Sequence, residues 1–494
     1  MNGPLSRTLS VERLPLRSFD DWFDRWAEAP GGFCLESSGS GAGSGDWHYL
    51  GAHPVGEFIA WGTKWQASLE CEGGARTAET VPRGDGDPLA ACEDWFSRCG
   101  IADDAATLAR LSLPAIPFVG GAVGMFGFEL GESIDPYPIT RPSDHRYAEL
   151  YGSIPDLHIR VYDELVAIDR QSGAAYAITR GRSGGEERRW WDRGAVPREG
   201  HRESPTRELA VSLDDRTYLS HVESIREEIR KGEVYEANLT RTHLVRGGPD
   251  PLTLARRLRS LQPVPYAAVL PWEPASLVSA SPECFLRRRG SHLESRPIKG
   301  TIARGRDVRD DARRGERLLA DPKERAELAM IVDLVRNDLG RVAIPGSVRV
   351  RAEADLEPYA TVIHTVATVE AELAEGRTSF DLLRATFPGG SITGAPKLAA
   401  LEVIARLEPF PRRFYTGSFG WLAPGGDLDL AIAIRTVTRV GEVSLVSIGG
   451  AVTWDSIPTR ELAELEAKGA ALFAALRGVP GEGAPLRGGD HRTI

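Results

Sequence analysis

Two segments that read as helices each carry a pair of glutamates three residues apart. The first pair is Glu324 and Glu327 in PKERAELAMIVDLVRNDLG, and the second is Glu461 and Glu464 in TRELAELEAKGAALFAAL. In the first segment the apolar stripe of the helix leads directly to the glutamates. Buried carboxylates need partners, and one hard divalent cation such as Mg²⁺ between the helices would satisfy both pairs. Solvated surface glutamates near helix N-termini are the alternative that spacing leaves open.

Further ionisable side chains stand in apolar surroundings. Glu283 in SASPECF and His364 in VIHTV fit a polar site, or equally a turn carboxylate and a satisfied core histidine. Arg435 in AIAIRTV alternates into an apolar strand, where an arginine needs an anion such as a substrate carboxylate. Lys299 in ESRPIKGT lies between an apolar residue and a glycine, where a strand changes to a turn.

A glycine-rich loop, PGGSITGAPK, opens a predicted helix. It lacks the G-x-x-x-x-G-K-[ST] order of a nucleotide-binding loop, because Ala395 and Pro396 separate Gly394 from Lys397. Its backbone N–H groups, placed before a helix, suit a small carboxylate. A plain tight turn is the alternative.

The elements that must position these residues are strands and helices in separate runs. The spacing of Tyr218, Val222, Ile225 and Ile229 predicts a helix, and VYEANLTR follows it as a strand. Other strands are predicted in YAAVLPW, SLVSASPECFLRRR, ATVIHTVATVEAEL, YTGSFGWLAP, LDLAIAIRTVTRV and VSLVSIGGAV. Antiparallel strands with segregated helices predict an α+β fold rather than a doubly wound one.

The length of 494 residues indicates two or three domains or one large composite domain. We expect an N-terminal α/β portion of a composite fold over 1–205, a catalytic region over 206–478 and a flexible tail over 479–494. Within the first portion, Gly/Ser-rich and charged compositions predict flexible loops near 36–47 and 181–205.

Composition excludes several classes of function. The net charge of −10 argues against a nucleic-acid partner, which needs clustered Lys and Arg. No apolar run reaches the roughly eighteen residues of a membrane span, and the N-terminus lacks the layout of a secretory signal. Five cysteines without a C-x-x-C spacing suggest neither a disulfide framework nor a zinc site. We therefore expect a cytoplasmic protein with no membrane partner.

Taken together and in this order, the motifs resemble those of the chorismate-utilising enzymes, among them anthranilate synthase component I, aminodeoxychorismate synthase component I, isochorismate synthase and salicylate synthase. The similarity is strongest from Ser212 to Leu476 and rests on SPE, RPIKGT, ERAELAMIVDLVRNDLG, HTV, PGGSITGAPK, YTGSFGWL, IAIRT, GGAVTWDS and E-x-x-E-x-x-x-K. PFVGGAVGMFGFELG also looks like the N-terminal half of this family. The resemblance implies a layered sandwich of mainly antiparallel sheets flanked by helices, chorismate as substrate and Mg²⁺ as cofactor.

By motif position, the resemblance implies that Glu327 and Glu464 are metal ligands supported by Glu324 and Glu461. The ion would hold the ring carboxylate of chorismate, so that the acids recruit a cation and the cation recruits an anion.

The resemblance also implies which residues bind the two carboxylates of chorismate. Arg435 and Tyr415 match residues that hold the pyruvyl carboxylate. The backbone of Gly449 and Gly450, together with Lys468, matches the binding site of the ring carboxylate. The remaining members of the implied substrate-binding set are Thr301 and Gly394.

Three further residues would carry the chemistry. Glu283 and His364 fall at the C4 hydroxyl, where a carboxylic acid kept protonated by an apolar pocket would act as general acid. Anthranilate synthases typically read PIAGT where this chain has PIKGT, and lysine is typical of aminodeoxychorismate synthases. Lys299 with a depressed pKa would attack C2 with loss of the C4 hydroxyl. Ammonia would then attack C4 and expel the lysine, giving 4-amino-4-deoxychorismate, a precursor of para-aminobenzoate and folate.

Glu236 departs from the pattern of the family. Isochorismate and salicylate synthases place a water-activating lysine at this point of YEANLTR, and amine-using members usually have glutamine. Glu236 in place of that lysine counts against a reaction in which a lysine activates water. It would hydrogen-bond Lys299 or an incoming ammonium, or it is a tolerated variant.

The ammonia needs a source. The 479–494 tail is too short for a glutamine amidotransferase domain, so we expect a separate glutaminase subunit as partner. Anthranilate synthase component I is the alternative function that differs at Lys299, and a non-catalytic chorismate-binding subunit is the second alternative.

Overall fold

The computed structural model describes residues 9–27, 29–38, 46–69, 83–100, 116–135, 137, 147–180, 189–192 and 203–478. The predicted tail over 479–494 and most of the predicted loops near 36–47 and 181–205 lie outside these residues. The α-helices of the described chain are Phe19–Trp26 (α1), Pro88–Arg98 (α2), Ala148–Ser153 (α3), Asp215–Lys231 (α4), Pro251–Leu261 (α5), Val308–Ala320 (α6), Pro322–Gly340 (α7), Ser379–Thr386 (α8), Lys397–Leu407 (α9) and Pro458–Arg477 (α10).

The first sheet is twelve-stranded and combines strands from both halves of the chain. Its strands lie side by side in the order Leu9–Arg13 (β1), Ala175–Arg180 (β10), Glu164–Asp169 (β9), Trp47–Gly51 (β3), Phe33–Glu36 (β2), Tyr266–Leu270 (β13), Ser276–Ser281 (β14), Thr436–Val440 (β23), Val443–Val452 (β24), Glu236–Gly248 (β12) and Ser204–Val211 (β11). The short strand Gly394–Ala395 (β20) also pairs with β12, opposite Glu236 and Ala237.

The second sheet is also twelve-stranded and mixes the two halves in the same way. Its strands follow the order Ile298–Ala303 (β17), Val362–Glu372 (β19), His292–Arg296 (β16), Cys284–Arg289 (β15), Leu428–Ile432 (β22), Ser418–Leu422 (β21), Gly121–Phe126 (β7), Leu157–Tyr162 (β8), Gly56–Trp61 (β4), Lys64–Leu69 (β5) and Arg83–Asp85 (β6). Arg349–Pro358 (β18) pairs with β19 beside this row.

Apolar side chains divide the molecule into helix, sheet, sheet and helix layers. The core between the sheets includes Leu277 of β14 and Met125 of β7. A second core joins the outer face of the first sheet to helices α1, α4, α5 and α10. A third joins the outer face of the second sheet to helices α2, α7 and α8. This arrangement confirms the predicted α+β sandwich of antiparallel sheets flanked by helices.

Among the segments that leave one sheet and enter the other, two contain residues predicted to lie in the site. One crossing runs from β14 to β15 and contains Glu283; the other runs from β22 to β23 and contains Arg435. The crossings are tied together, because Ile432 N donates to the Glu283 carbonyl at 3.1 Å and Ala280 N donates to the Arg435 carbonyl at 3.0 Å. The prediction of one strand in SLVSASPECFLRRR and one in LDLAIAIRTVTRV was therefore wrong: each apolar run is two strands in different sheets.

Local signals at the helix ends agree with the sequence. The Asp321 side chain caps α7 by accepting hydrogen bonds from Lys323 N and Glu324 N, and Pro322 occupies the first turn. The helix α4 ends at Gly232, whose φ of 83° suits a residue without Cβ. Near 181–205, Trp190 and Trp191 are buried in a short 3-10 turn within a segment predicted as a loop.

In the described part of the chain, none of the helices combines the length and apolar composition of a membrane span. The described cysteines, Cys34, Cys92, Cys99 and Cys284, are buried thiols without disulfide bonds. Burial raises the pKa of the Cys284 thiol to about 12, which makes it unreactive.

Candidate active site

Lys299 and Glu236 form a buried ion pair. Lys299 lies on β17 beside a bulge in its pairing with β19, and Gly300 at the bulge has a φ of 80°. Glu236 begins β12 in the other sheet. The Lys299 Nζ donates to Glu236 Oε1 at 2.6 Å, and the exposed fractions of the two residues are 9% and 0%. The pair therefore joins the two sheets.

The expected depressed pKa of Lys299 was wrong. Burial alone disfavours the ammonium, but the carboxylates of Glu236 and Glu327 outweigh burial and raise the pKa of Lys299. Lys299 is therefore an ammonium in the free protein. It must give up a proton before it can attack carbon.

Glu283 is a buried carboxyl that accepts one side-chain hydrogen bond, from Ser391 Oγ to Oε1 at 2.5 Å. Burial raises the pKa of Glu283 to about 7, despite the opposing effects of Ser391 and Lys299. A carboxyl with this pKa holds its proton in a large fraction of molecules near neutrality, as a general acid requires.

His364 lies on β19 and is 2% exposed. Its Nδ1 is 2.8 Å from Thr301 Oγ1, and its buried Nε2 has no hydrogen-bond partner among the described residues. Burial, with help from the positive charges of Arg435 and Lys468, lowers the pKa of His364 to about 3. His364 is a neutral imidazole that can donate one hydrogen bond to a bound molecule.

Arg435 is placed by the crossing from β22 to β23, in the left-handed region with a φ of 50°. The prediction that it alternates into a strand was wrong. Burial lowers the pKa of Arg435 to about 10, opposed by Tyr359. No carboxylate within the described chain lies at ion-pair distance from it. A largely enclosed cation without an anionic partner among the described residues is suited to an anionic ligand.

The glutamates of α7 and α10 meet at Lys323. The Lys323 Nζ lies 3.5 Å from Glu327 Oε1 and 4.0 Å from Glu461 Oε1, and both glutamates are buried. Burial raises the pKa of Glu461, and burial together with Glu327 raises the pKa of Glu324. The two helices thus bring their carboxylates to one place, and a cation already lies there.

Glu464 differs from its partners. Its side chain is 58% exposed and lies 2.7 Å from Lys468 Nζ, so the expectation of a buried acid does not hold here. Burial would raise the pKa of Glu464, but Lys468 and Lys323 outweigh burial and lower the pKa. Across the described residues, no group of three or more His, Cys, Asp or Glu is arranged as a finished metal site.

The remaining residues predicted to bind substrate lie near Lys468 and Tyr415. Gly449 and Gly450 lie on β24, and Lys468 Nζ donates to the Gly449 carbonyl at 3.4 Å. A Cβ on Gly449 would come within 3.1 Å of the Tyr415 hydroxyl. A Cβ on Gly450 would lie 3.6 Å from Lys468 Nζ. Gly394, with a φ of 144°, lets β20 approach β12 closely.

The electrostatic effects of these residues on one another indicate that they lie near one another. The carboxylates of Glu236, Glu283 and Glu327 favour a raised pKa of Lys299. The Lys299 ammonium in turn helps to lower the pKa of Glu464. The positive charges of Arg435 and Lys468 help to lower the pKa of His364. The structure therefore brings the predicted residues together from both sheets and from two helices.

The sequence did not reveal three supporting residues. Nothing in the sequence marks Lys323 as a site residue except its position directly before Glu324. Ser391 was visible only as part of the glycine-rich loop. Arg412 is 3% exposed and donates to the carbonyls of Ile392 and Asn238 and to the Glu408 carboxylate. It thereby holds the glycine-rich loop against β12.

Lys397, at the end of the glycine-rich loop, binds Asp338 Oδ2 at 2.7 Å and the Thr386 carbonyl at 3.0 Å. Its ammonium is occupied by the protein. This agrees with the sequence argument that the loop is not a nucleotide-binding loop.

Comparison with known proteins decides the family. The model of the chorismate binding enzymes matches residues 46–474. The chain belongs to this family. It is 33% identical to aminodeoxychorismate synthase component 1 of Bacillus subtilis, over 80% of this chain and 85% of that protein. It is 38% identical to anthranilate synthase component 1 of Thermus thermophilus, over 73% of this chain and 78% of that protein.

Solved structures of the chorismate binding enzymes share the fold. Anthranilate synthase component I from Streptococcus pneumoniae superposes with a TM-score of 0.69 at 25% identity, covering 87% of this chain and 92% of that one. The menaquinone-specific isochorismate synthase from Escherichia coli has the same TM-score of 0.69 at 18% identity, covering 95% and 94%. Because overall similarity extends to several activities, the site residues must distinguish among them.

Proposed function

We propose that this chain is the chorismate-converting component of an aminodeoxychorismate synthase, a transferase that makes 4-amino-4-deoxychorismate from chorismate and ammonia. The observation that carries the proposal is the buried Lys299 ammonium, which lies close enough to the buried Glu283 carboxyl to influence its charge. Anthranilate-type chemistry needs no amine at this position. Relatives named aminodeoxychorismate synthase component 1, at 33% to 36% identity, support the same choice.

The residues suit the two substitutions that this reaction requires. Arg435, Tyr415 and the β24 glycines would hold the two carboxylates, which leaves the ring between Lys299 and Glu283. Glu283 would give its proton to the departing C4 hydroxyl as Lys299 bonds to C2. Neutral His364 would hydrogen-bond the same hydroxyl through Nε2, which has no protein partner. Ammonia would then bond to C4 as the bond from C2 to Lys299 breaks.

We further propose Mg²⁺ as the cofactor, with Glu327 and Glu464 as ligands and Glu324 and Glu461 in support. The converging carboxylates of α7 and α10 fit this ion, which typically uses one or two protein carboxylates and completes its shell with water and substrate. When bound, the ion would supply positive charge for the ring carboxylate.

The partner is proposed to be a separate glutamine amidotransferase subunit that delivers ammonia. The designation of several relatives as component 1 supports a second component. The free cysteines support a reducing compartment, the cytoplasm.

Product analysis tests the proposed function. The purified chain with chorismate, Mg²⁺ and ammonium is expected to form 4-amino-4-deoxychorismate, which an added aminodeoxychorismate lyase converts to para-aminobenzoate. Glutamine without the partner, or ammonium with a chelator in place of Mg²⁺, should give no product. Fluorescent anthranilate with pyruvate would instead establish anthranilate synthase, and binding without turnover would establish a non-catalytic subunit.

Removal of the Arg435 charge should weaken chorismate binding. Arg435→Met is expected to raise KM on the order of 10- to 100-fold, because one charge-assisted carboxylate contact contributes about 1.5–3 kcal/mol. The effect on kcat should be smaller. Steady-state kinetics with chorismate as the varied substrate measure both constants.

Arg412→Met is the control, since Arg412 is also an arginine inside the protein but is already paired with Glu408 at 2.7 Å. Breaking that pair should cost about 3–5 kcal/mol of stability. Arg435→Met relieves an unpaired buried charge and should not lower stability. An unchanged KM in Arg435→Met would exclude Arg435 from carboxylate binding.

A further inference from the structure

We propose that Glu236 is the proton acceptor for Lys299 and that the two side chains act as one acid–base pair during amination. This inference rests on the proposed function. The carboxylate oxygen and the ammonium nitrogen are 2.6 Å apart, already at hydrogen-bond distance. A proton can therefore pass between them without movement of either strand.

The surroundings of Glu236 favour a carboxylate that can take up a proton. Its Oε2 is buried and has no hydrogen-bond partner, so Lys299 is its one side-chain partner among the described residues. Burial raises the pKa of Glu236 against the opposing charge of Lys299. A carboxylate satisfied by several donors would be a much weaker base.

The charges that face the pair come from several elements. Glu327 and Lys323 of α7 face Glu236, while Glu283 of the crossing and Glu327 face Lys299. Glu464 of α10 also feels the charge of Lys299. Of these groups, only Glu236 lies within ion-pair distance of the Lys299 ammonium in the described structure. The proton of Lys299 therefore has one direct acceptor.

A buried ion pair is weak evidence of a purely structural role, because a well-packed apolar pair is often at least as stable. An amine must lose its proton before it becomes a nucleophile, and Glu236 is placed to take that proton and return it. Glutamine at position 236 could accept a hydrogen bond from Lys299, but it could not take the proton.

The reaction balances with Glu236 in this role. The Lys299 ammonium first gives a proton to Glu236. The resulting amine bonds to C2 as the C4–O bond breaks, and Glu283 protonates the oxygen, which leaves as water. Ammonium next gives a proton to the Glu283 carboxylate. The ammonia bonds to C4 as the C2–N bond breaks, and the released Lys299 amine recovers its proton from Glu236.

Carbamylation of Lys299 by cyanate tests the pair without substrate, because only the unprotonated amine reacts. Site occupancy is measured by peptide mass spectrometry over a range of pH. In Glu236→Gln, Lys299 loses its nearest anion, so the pKa of Lys299 should fall. Each fall of one pH unit in that pKa should make carbamylation at pH 8 about tenfold faster. A rate in Glu236→Gln equal to or below that of the wild type would overturn the proposal.

Asp338→Asn is the matched control, since Asp338 also pairs with a buried lysine, Lys397, at 2.7 Å. It should leave the pH dependence of Lys299 carbamylation unchanged. A change equal to that in Glu236→Gln would show a general effect of lost acids and would also overturn the proposal.

Chorismate consumption with ammonium provides the second measurement. Glu236→Gln should gain an acid-side limb in kcat against pH that the wild type lacks, because Lys299 must then lose its proton to solvent. An unchanged profile contradicts the proton-acceptor role. A chain that consumes no chorismate fails the proposed function, whereas the carbamylation result still decides whether Glu236 controls the Lys299 proton.

Discussion

Lys299→Ala is expected to lower C4 amination of chorismate on the order of 10³-fold or more, the scale seen when a catalytic nucleophile is removed. Alanine cannot bond to C2, so the C4 hydroxyl has no internal group to displace it. The rate of 4-amino-4-deoxychorismate formation with ammonium, followed by chromatography, measures the loss. Chorismate binding, measured by titration, should change far less because Arg435 and Tyr415 remain.

The products of Lys299→Ala separate two roles for the lysine. Formation of anthranilate would show that Lys299 selects the carbon that ammonia attacks. Amination at C4 with an unchanged rate would exclude the nucleophile. Loss of all turnover with retained chorismate binding is the expected result.

Lost activity in Lys299→Ala must be distinguished from lost folding, because the substitution leaves the Glu236 carboxylate buried without a partner. That isolated charge should cost about 3–5 kcal/mol of stability. The double variant Lys299→Ala, Glu236→Gln removes the charge and should recover much of the stability in a denaturant titration. Its amination rate should stay as low as that of the single variant.

The sequence predicted the layers of the fold because periodicity reports which face of an element is apolar. On α7, Leu328, Ile331, Val335 and Leu339 are buried as their spacing requires. The same signal failed at the two sheet crossings. Both SLVSASPECFLRRR and LDLAIAIRTVTRV have apolar residues on each side of the crossing, since the strands before and after it both pack against a core.

The crossings between the sheets explain why polar residues occur inside these two apolar runs. Glu283 and Arg435 interrupt the apolar pattern because the backbone there leaves one sheet and enters the other. A sequence pattern marks such a residue as unusual. It does not show that two crossings 150 residues apart along the chain are hydrogen-bonded to each other.

The protonation of the site was harder to predict than its composition. Lys299 was recognised from one motif, but its charge depends on Glu236, which begins a strand in the other sheet. Similarly, spacing on α10 placed Glu461 and Glu464 on one helix face, but only the packing of α7 shows that Glu461 is buried and Glu464 exposed. Contacts between distant segments set these pKa values.

Glu283→Gln is expected to lower kcat on the order of 10²- to 10⁴-fold, the usual contribution of a general acid. Only the protonated carboxyl can give a proton to the C4 oxygen. Because the pKa of Glu283 is about 7, the wild-type rate should fall with increasing pH above 7. In Glu283→Gln this alkaline limb should disappear. The profile is measured as kcat at a constant concentration of free ammonia.

Glu129→Gln supplies the control, because burial also raises the pKa of Glu129 to about 7 but its carboxylate binds the Arg412 and Arg413 backbone N–H groups. Each of these two carboxyls has a folded-state pKa of about 7, above its ordinary value of 4.5. Between these two values the folded state binds more protons than the unfolded state, so the protein loses stability as pH rises through this range. Both variants should therefore reduce the loss of stability between about pH 4.5 and pH 7. Only Glu283→Gln should remove the fall of kcat at alkaline pH. If Glu129→Gln removes this fall and Glu283→Gln does not, Glu283 is not the acid that protonates the leaving hydroxyl.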